Sequence, residues 1–150
     1  MRVLMTGGGT GGHVNPAIAI ADTIKAHIPD AEIAFVGTKR GIENKLVPAA
    51  GYELYHVDVR GFRRSLSPAN IRAAFLALVS PLAAKKIIKK FRPDVVIGTG
   101  GYVSWPLIVA ASKLGIPSVV HESNAVPGLA VRKLVPYVDK ISVSYTHLTL

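Results

Sequence analysis

The chain has 150 residues, 49% of them hydrophobic and 18% charged, with no cysteine, a formal charge of +9 and a pI near 10. This composition suits one domain with a real core and excludes intrinsic disorder, disulfides and thiolate metal sites. The excess charge attracts phosphates, whether of nucleic acid, anionic lipid or a diphosphate substrate, without choosing among them.

The first element, Val3 to Thr6, is an apolar run that stops at glycines, as a buried parallel strand does. The segment is too short in apolar residues for a secretory signal and lacks a small-residue cleavage site. Asn15-Pro16 then reads as a cap and first-turn proline of a helix reaching His27. Ile33 to Val36 predicts a second strand, Ile42 to Ala49 a short helix and Leu54 to Val57 a third strand. Ser67-Pro68 opens a longer helical region, expected to be interrupted at Ser80-Pro81 and to end near Phe91. Its apolar stretch, Ala73 to Ala84, falls well short of the roughly 20 residues that span a bilayer. A cytoplasmic protein, not integral to a membrane, is expected.

Asp94 to Ile97 predicts strand four, Trp105 to Leu114 a helix, Ser118 to His121 strand five, Gly128 to Val135 a helix and Lys140 to Val143 strand six. Strands alternating with helices imply an α/β, Rossmann-like parallel sheet with helices on both faces. The domain is expected to occupy residues 1–144. The polar-apolar alternation of residues 145–150 is atypical after a sixth strand, reads as truncated or foreign, and gives no role to His147.

Two glycine-rich loops follow predicted strands. Gly7-Gly8-Gly9-Thr10-Gly11-Gly12-His13 lies after strand one, where an open α/β sheet binds ligands. Glycines let the backbone approach a ligand closely, and the N–H groups of the following helix favour an anion. Gly98-Thr99-Gly100-Gly101-Tyr102-Val103-Ser104 repeats the arrangement after strand four. Facing each other, the two loops could hold both phosphates of a diphosphate. His13, at the mouth of the cleft, is a candidate general base or a packed, non-catalytic histidine. After strand five, Glu122 and Asn124 can hydrogen-bond sugar hydroxyls or orient a neighbour, while His121 reads as a buried strand residue or a second acid-base candidate.

Gly7, Gly9 and Gly12 also satisfy the dinucleotide pattern G-x-G-x-x-G. The acid expected at the end of strand two is missing, however, and Arg40 stands there instead. An NADP-dependent oxidoreductase therefore stays open as the alternative. No Walker lysine follows the glycines. Nucleic-acid binding is not expected, since aromatic and basic residues do not interleave.

Taken together, Gly8 to His13 with Asn15-Pro16, Gly100 to Ser104, and His121-Glu122 with Asn124 resemble glycosyltransferase family 28, over residues 1 to about 144. The resemblance implies the N-terminal half of a GT-B enzyme, with two Rossmann-like domains across a cleft, no metal and no cofactor. It implies transfer of N-acetylglucosamine from UDP-N-acetylglucosamine, with inversion, to the 4-hydroxyl of undecaprenyl-diphospho-N-acetylmuramoyl-pentapeptide in peptidoglycan synthesis. His13 would be the base and Glu122 a second catalytic candidate. Thr10, Gly11, Gly12 and Asn124 would reach the donor, while Gly8, Gly9, Gly100, Gly101, Tyr102 and Ser104 would hold the acceptor's diphosphate. With the donor-binding C-terminal domain absent, the chain alone is expected to be inactive. Trp105 departs from the small residue expected after the second loop.

The acceptor is membrane-anchored, which implies peripheral work at the cytoplasmic face of the bacterial inner membrane. Phe75, Leu76, Val79 and Leu82 lie near Arg72, Lys85, Lys86, Lys89, Lys90 and Arg92, as an interfacial helix on anionic lipid requires. Trp105 joins this expected contact as an aromatic, and Gly61 to Arg64 could extend the basic surface.

Overall fold

The structure is a computed structural model that describes residues 1–61 and 68–144. The tail at 145–150 and the basic stretch 62–64 lie outside the described residues. Six parallel strands form one sheet in the order β3-β2-β1-β4-β5-β6. They are β1 (Arg2–Thr6), β2 (Glu32–Gly37), β3 (Glu53–His56), β4 (Val95–Gly98), β5 (Ser118–Glu122) and β6 (Lys140–Val143). The order reverses between β1 and β4, so the carboxyl ends of these two central strands open a crevice at the topological switch point.

Alternation along β1 builds both faces. Val3 and Met5 join Phe35 beneath the helices α1 (Gly11–His27) and α2 (Glu43–Ala49), where Val14, Ala17, Ala21 and Val47 complete one core. Leu4 joins Ala34, Val36, Val96 and Val120 on the other face, under α3 (Pro68–Phe91), α4 (Ser104–Lys113) and α5 (Leu129–Leu134). A single-turn 3-10 helix, Val135–Tyr137, leads from α5 into β6.

Two helix expectations are corrected. α1 starts at Gly11 with Thr10 as N-cap, so Pro16 lies inside the helix and not in its first turn. Proline removes the bond to the carbonyl four residues back, here that of Gly12, which sits in the exposed first turn where water can serve it. The consequence is functional, since His13 becomes a helical residue held in the first turn.

The second correction concerns Ser80-Pro81, where α3 continues unbroken for 24 residues. Pro81 has no N–H for the carbonyl of Ala77. The indole N–H of Trp105, on α4, donates to that carbonyl at 2.9 Å instead. The Trp105 ring also packs edge-on against Tyr137, with centroids 5.6 Å apart. Trp105→Phe should cost about 1–3 kcal/mol in urea unfolding, because the carbonyl is left unpaired. Adding Pro81→Ala, which restores a backbone donor, should shrink that cost in a double-mutant cycle.

Candidate active site

Thr99 ties the two glycine loops together. Its N–H donates to the Thr6 carbonyl at 2.9 Å, and its hydroxyl donates to the His13 carbonyl at 2.6 Å. Its own carbonyl lies 3.0 Å from His13 Nδ1. A carbonyl oxygen can only accept, so Nδ1 carries a proton, and in the neutral ring the lone pair is then on Nε2. The half-buried imidazole is thereby fixed in the tautomer and orientation a general base needs.

The loops also touch directly. Gly101 has a left-handed φ of 74°, and a Cβ there would overlap the Gly8 carbonyl oxygen. A Cβ on Gly7 would overlap the Thr99 hydroxyl. Glycine is required at Gly101 by the backbone of the facing loop and at Gly7 by the Thr99 side chain, not by a turn alone. Gly8 and Gly100 are buried, whereas Thr10 and Gly12 are exposed and Gly11 is half-buried at the rim. Ser104 is fully buried, and its hydroxyl donates to the Gly100 carbonyl at 2.7 Å, so it shapes the second loop from beneath. The Tyr102 ring covers Gly9 and Gly61. Burial pushes its phenol above the ordinary value, with the Glu43 carboxylate adding to the rise and a Thr38 hydrogen bond opposing it.

Glu43 is the site residue that sequence reasoning missed. It is fully buried beneath the first loop. Its carboxylate accepts from the Thr38 N–H at 2.8 Å, the Thr38 hydroxyl at 2.7 Å and the Gly9 N–H at 3.3 Å. Gly8, Gly37 and Gly41 crowd it so closely that a Cβ on any of them would press on the side chain. These glycines come together only in the fold, so the sequence carried no signal for this acid. Burial acts to raise the Glu43 pKa, but the hydrogen bonds from Thr38, its own N–H and Gly9 outweigh it and hold the carboxyl below the ordinary value of 4.5. Because the unfolded chain takes up this proton more readily, the stabilisation is complete above the unfolded value and lost as pH falls through the folded one. Glu43→Gln should therefore cost about 1–3 kcal/mol near neutrality and flatten the fall in urea-measured stability below about pH 4.5.

Glu122 is also buried. It accepts from the Asn124 N–H at 2.9 Å, the Asn124 amide at 2.7 Å and the Gly128 N–H at 3.0 Å. Its lone pairs are committed to its own loop, which favours an orienting role over base work. Asn124 is exposed on that loop. His121 turns toward β6, with Nε2 3.2 Å from the Ser144 hydroxyl, and its buried Nδ1 has no partner.

Of the residues expected at a membrane, Phe75 and Leu82 are exposed, while Leu76, Val79 and Trp105 are half-buried. The exposed stripe is Ile71, Phe75, Leu78 and Leu82, at 63–79% exposure and helical spacing. Exposed Lys85, Lys86 and Lys89 continue the same face. Among the described residues no helix is long and apolar enough to cross a membrane, and no group of three His, Cys, Asp or Glu could hold a metal ion.

Residues 3–143 match the glycosyltransferase family 28 N-terminal domain. The UDP-N-acetylglucosamine–N-acetylmuramyl-(pentapeptide) pyrophosphoryl-undecaprenol N-acetylglucosamine transferase of Lactococcus lactis subsp. cremoris is 51% identical over 145 residues, covering 97% of this chain and 41% of the relative. The transferase of the same name from Limosilactobacillus fermentum is 50% identical over 145 residues, covering 97% and 39%. The crystal structure of Acinetobacter baumannii MurG superposes with a TM-score of 0.84 at 32% identity, over 99% of this chain and 42% of that one. A spinosyn rhamnosyltransferase, at 16% identity and a TM-score of 0.64, shares the fold. The chain thus spans about two fifths of the length of the curated relatives it matches. By its sheet order, its interlocked loops and a match over nearly its whole length, the chain belongs to glycosyltransferase family 28, as that family's N-terminal domain.

Proposed function

We propose that this chain is the acceptor-binding part of a transferase that moves N-acetylglucosamine from UDP-N-acetylglucosamine to undecaprenyl-diphospho-N-acetylmuramoyl-pentapeptide. The observation that carries the reading is His13, whose Nδ1 is held by the Thr99 carbonyl so that Nε2 is the ring nitrogen left for proton transfer, at the junction of two glycine loops. The loops, through Gly8, Gly9, Gly100, Gly101 and Tyr102, take the acceptor's diphosphate. Ser104 supports them from below. Nε2 removes the proton from the sugar's 4-hydroxyl as its oxygen bonds to the donor's anomeric carbon. The anomeric C–O bond to UDP breaks with inversion, and the electron pair leaves on the diphosphate. Thr10, Gly11, Gly12 and Asn124 stand at the rim, where a donor held by a second domain, outside residues 1–144, would meet them. Glu122 holds Asn124 for that contact. The NADP alternative falls with family membership.

Amide NMR of the chain should show shifts at Gly7–His13 and Gly100–Ser104 with a soluble diphospho-muramoyl acceptor analogue, and none with the analogue lacking its diphosphate. Equal responses to both, or none to either, would reject the reading.

The stripe Ile71, Phe75, Leu78 and Leu82, followed by lysines, supports peripheral docking on anionic lipid at the cytoplasmic face of the membrane. Phe75→Ser with Leu78→Ser should lower sedimentation with phosphatidylglycerol vesicles about tenfold or more, as two large side chains lose their burial in lipid. Unchanged sedimentation would remove the stripe from the interface.

A further inference from the structure

Beside Tyr102 the structure holds an apolar groove of about 280 Å³, between the stretch Val59 to Gly61 that follows β3, α3, the start of α4, and α5. Val59, Ala77, Trp105, Leu129 and Ala130 supply its apolar wall, with Arg60 and Lys133 as its charged lining and no carboxylate among the lining residues. It shares Val59, Arg60 and Tyr102 with a polar cavity of about 390 Å³, whose other lining residues are Thr38, Lys39, Arg40, Val57 and Asp58, so two further cations there outnumber one carboxylate. Tyr102 is therefore a common wall. One side of its ring covers Gly9 of the first loop, and the residue also bounds the apolar groove. Leu129, 66% exposed, stands on the rim.

An apolar trough lined by two cations and no acid, separated by the Tyr102 ring from a glycine loop suited to a diphosphate, matches an anionic amphiphile. We infer that this groove takes the first isoprene units of the acceptor's polyprenyl chain, the segment bonded to the diphosphate. Arg60 and Lys133 neutralise the phosphate end, and Trp105 and Leu129 flank the hydrocarbon. The groove is slightly smaller than common small-ligand sites, which start at about 300 Å³. It thus accommodates a short segment of the lipid, and the remainder continues outward. The inference rests on the proposed acceptor and adds a determinant of tail recognition to it.

Trp105 is the single tryptophan of the chain, so the tryptophan emission comes from a residue in the wall of this groove. The test titrates the full chain with two diphospho-muramoyl analogues, one carrying a farnesyl group below its micelle-forming concentration and one carrying a methyl group. The farnesyl analogue should bind about tenfold tighter or more, since burying even two methylene-sized groups gives about that factor. It should also shift Trp105 emission, while the methyl analogue moves only the loop amides. Ala130→Trp would fill the groove, but it adds a second fluorophore. Ala130→Phe is therefore used, with binding read by the loop amides. It should erase the farnesyl advantage and leave methyl-analogue affinity unchanged.

Equal affinities in the unmodified chain overturn the groove. So does a farnesyl advantage that survives Ala130→Phe, or one that survives there and is lost in the Phe75→Ser, Leu78→Ser chain, which assigns the tail to the outer stripe. Failure of both analogues to bind overturns the acceptor reading itself, and the groove with it. Should Ala130→Phe not fold, spin-labelled farnesyl analogue on the unmodified chain decides: broadening at Leu129 and Ala130 supports the groove, and its absence there overturns it.

Discussion

Replacing His13 by alanine is expected to slow sugar transfer about 10²- to 10⁴-fold, the usual contribution of a positioned general base. The assay joins this chain to the C-terminal part of the Lactococcus relative, so that donor and acceptor sites face each other. KM for the acceptor should change little, because Nε2 acts on the proton in flight and the diphosphate is held elsewhere. Added imidazole should restore part of the rate in His13→Ala, since the vacated space admits a free base. Thr99 offers a complementary check. Thr99→Val removes the hydroxyl bond to the His13 carbonyl but keeps the carbonyl that fixes Nδ1. It should therefore harm stability more than it harms the proton transfer. A chimera in which His13→Ala transfers at the unmodified rate would move the base to another residue.

Gly101→Ala should cost about 2–6 kcal/mol. It combines a left-handed backbone, costing about 1–3 kcal/mol for a residue with a Cβ, with overlap on the Gly8 carbonyl, costing about 1–3 kcal/mol more. Gly115 has a similar φ of 67° but nothing within 4 Å of a Cβ. Gly115→Ala isolates the backbone contribution, and urea unfolding of both variants yields the overlap by difference. Gly101→Ala should also weaken acceptor-analogue binding, while Gly115→Ala leaves it intact. Equal destabilisation by the two would mean that the loops do not bear on each other.

The strands were legible because buried parallel strands are apolar runs that stop at glycines, and each loop then falls at a carboxyl edge. His13 and both glycine loops followed from that rule. Helix boundaries failed where proline was read locally. Pro16 looked like a first-turn residue and Pro81 like a break, but a tertiary donor, the Trp105 indole, removes the cost that makes Pro81 disruptive. The expected break also hid the phase of α3. Without one continuous helix to set the phase, the sequence does not tell the half-buried Leu76 and Val79 from the exposed Ile71 and Leu78. Glu43 was illegible for another reason. In sequence it is an ordinary acid at the start of a short helix, and its burial depends on Gly8 and Gly37, which come from other elements.

The interlock at Thr99 has a consequence for how the site responds to heat and to evolution. Since each loop is the other's wall, the chain entropy of ordering them is surrendered when the domain folds and not when a substrate arrives. Acceptor binding should then show a small heat-capacity signature from the loops themselves, leaving most of it to the lipid tail. Sequence change in one loop is likewise constrained by the other, so Gly7, Thr99 and Gly101 form a unit that can drift only together.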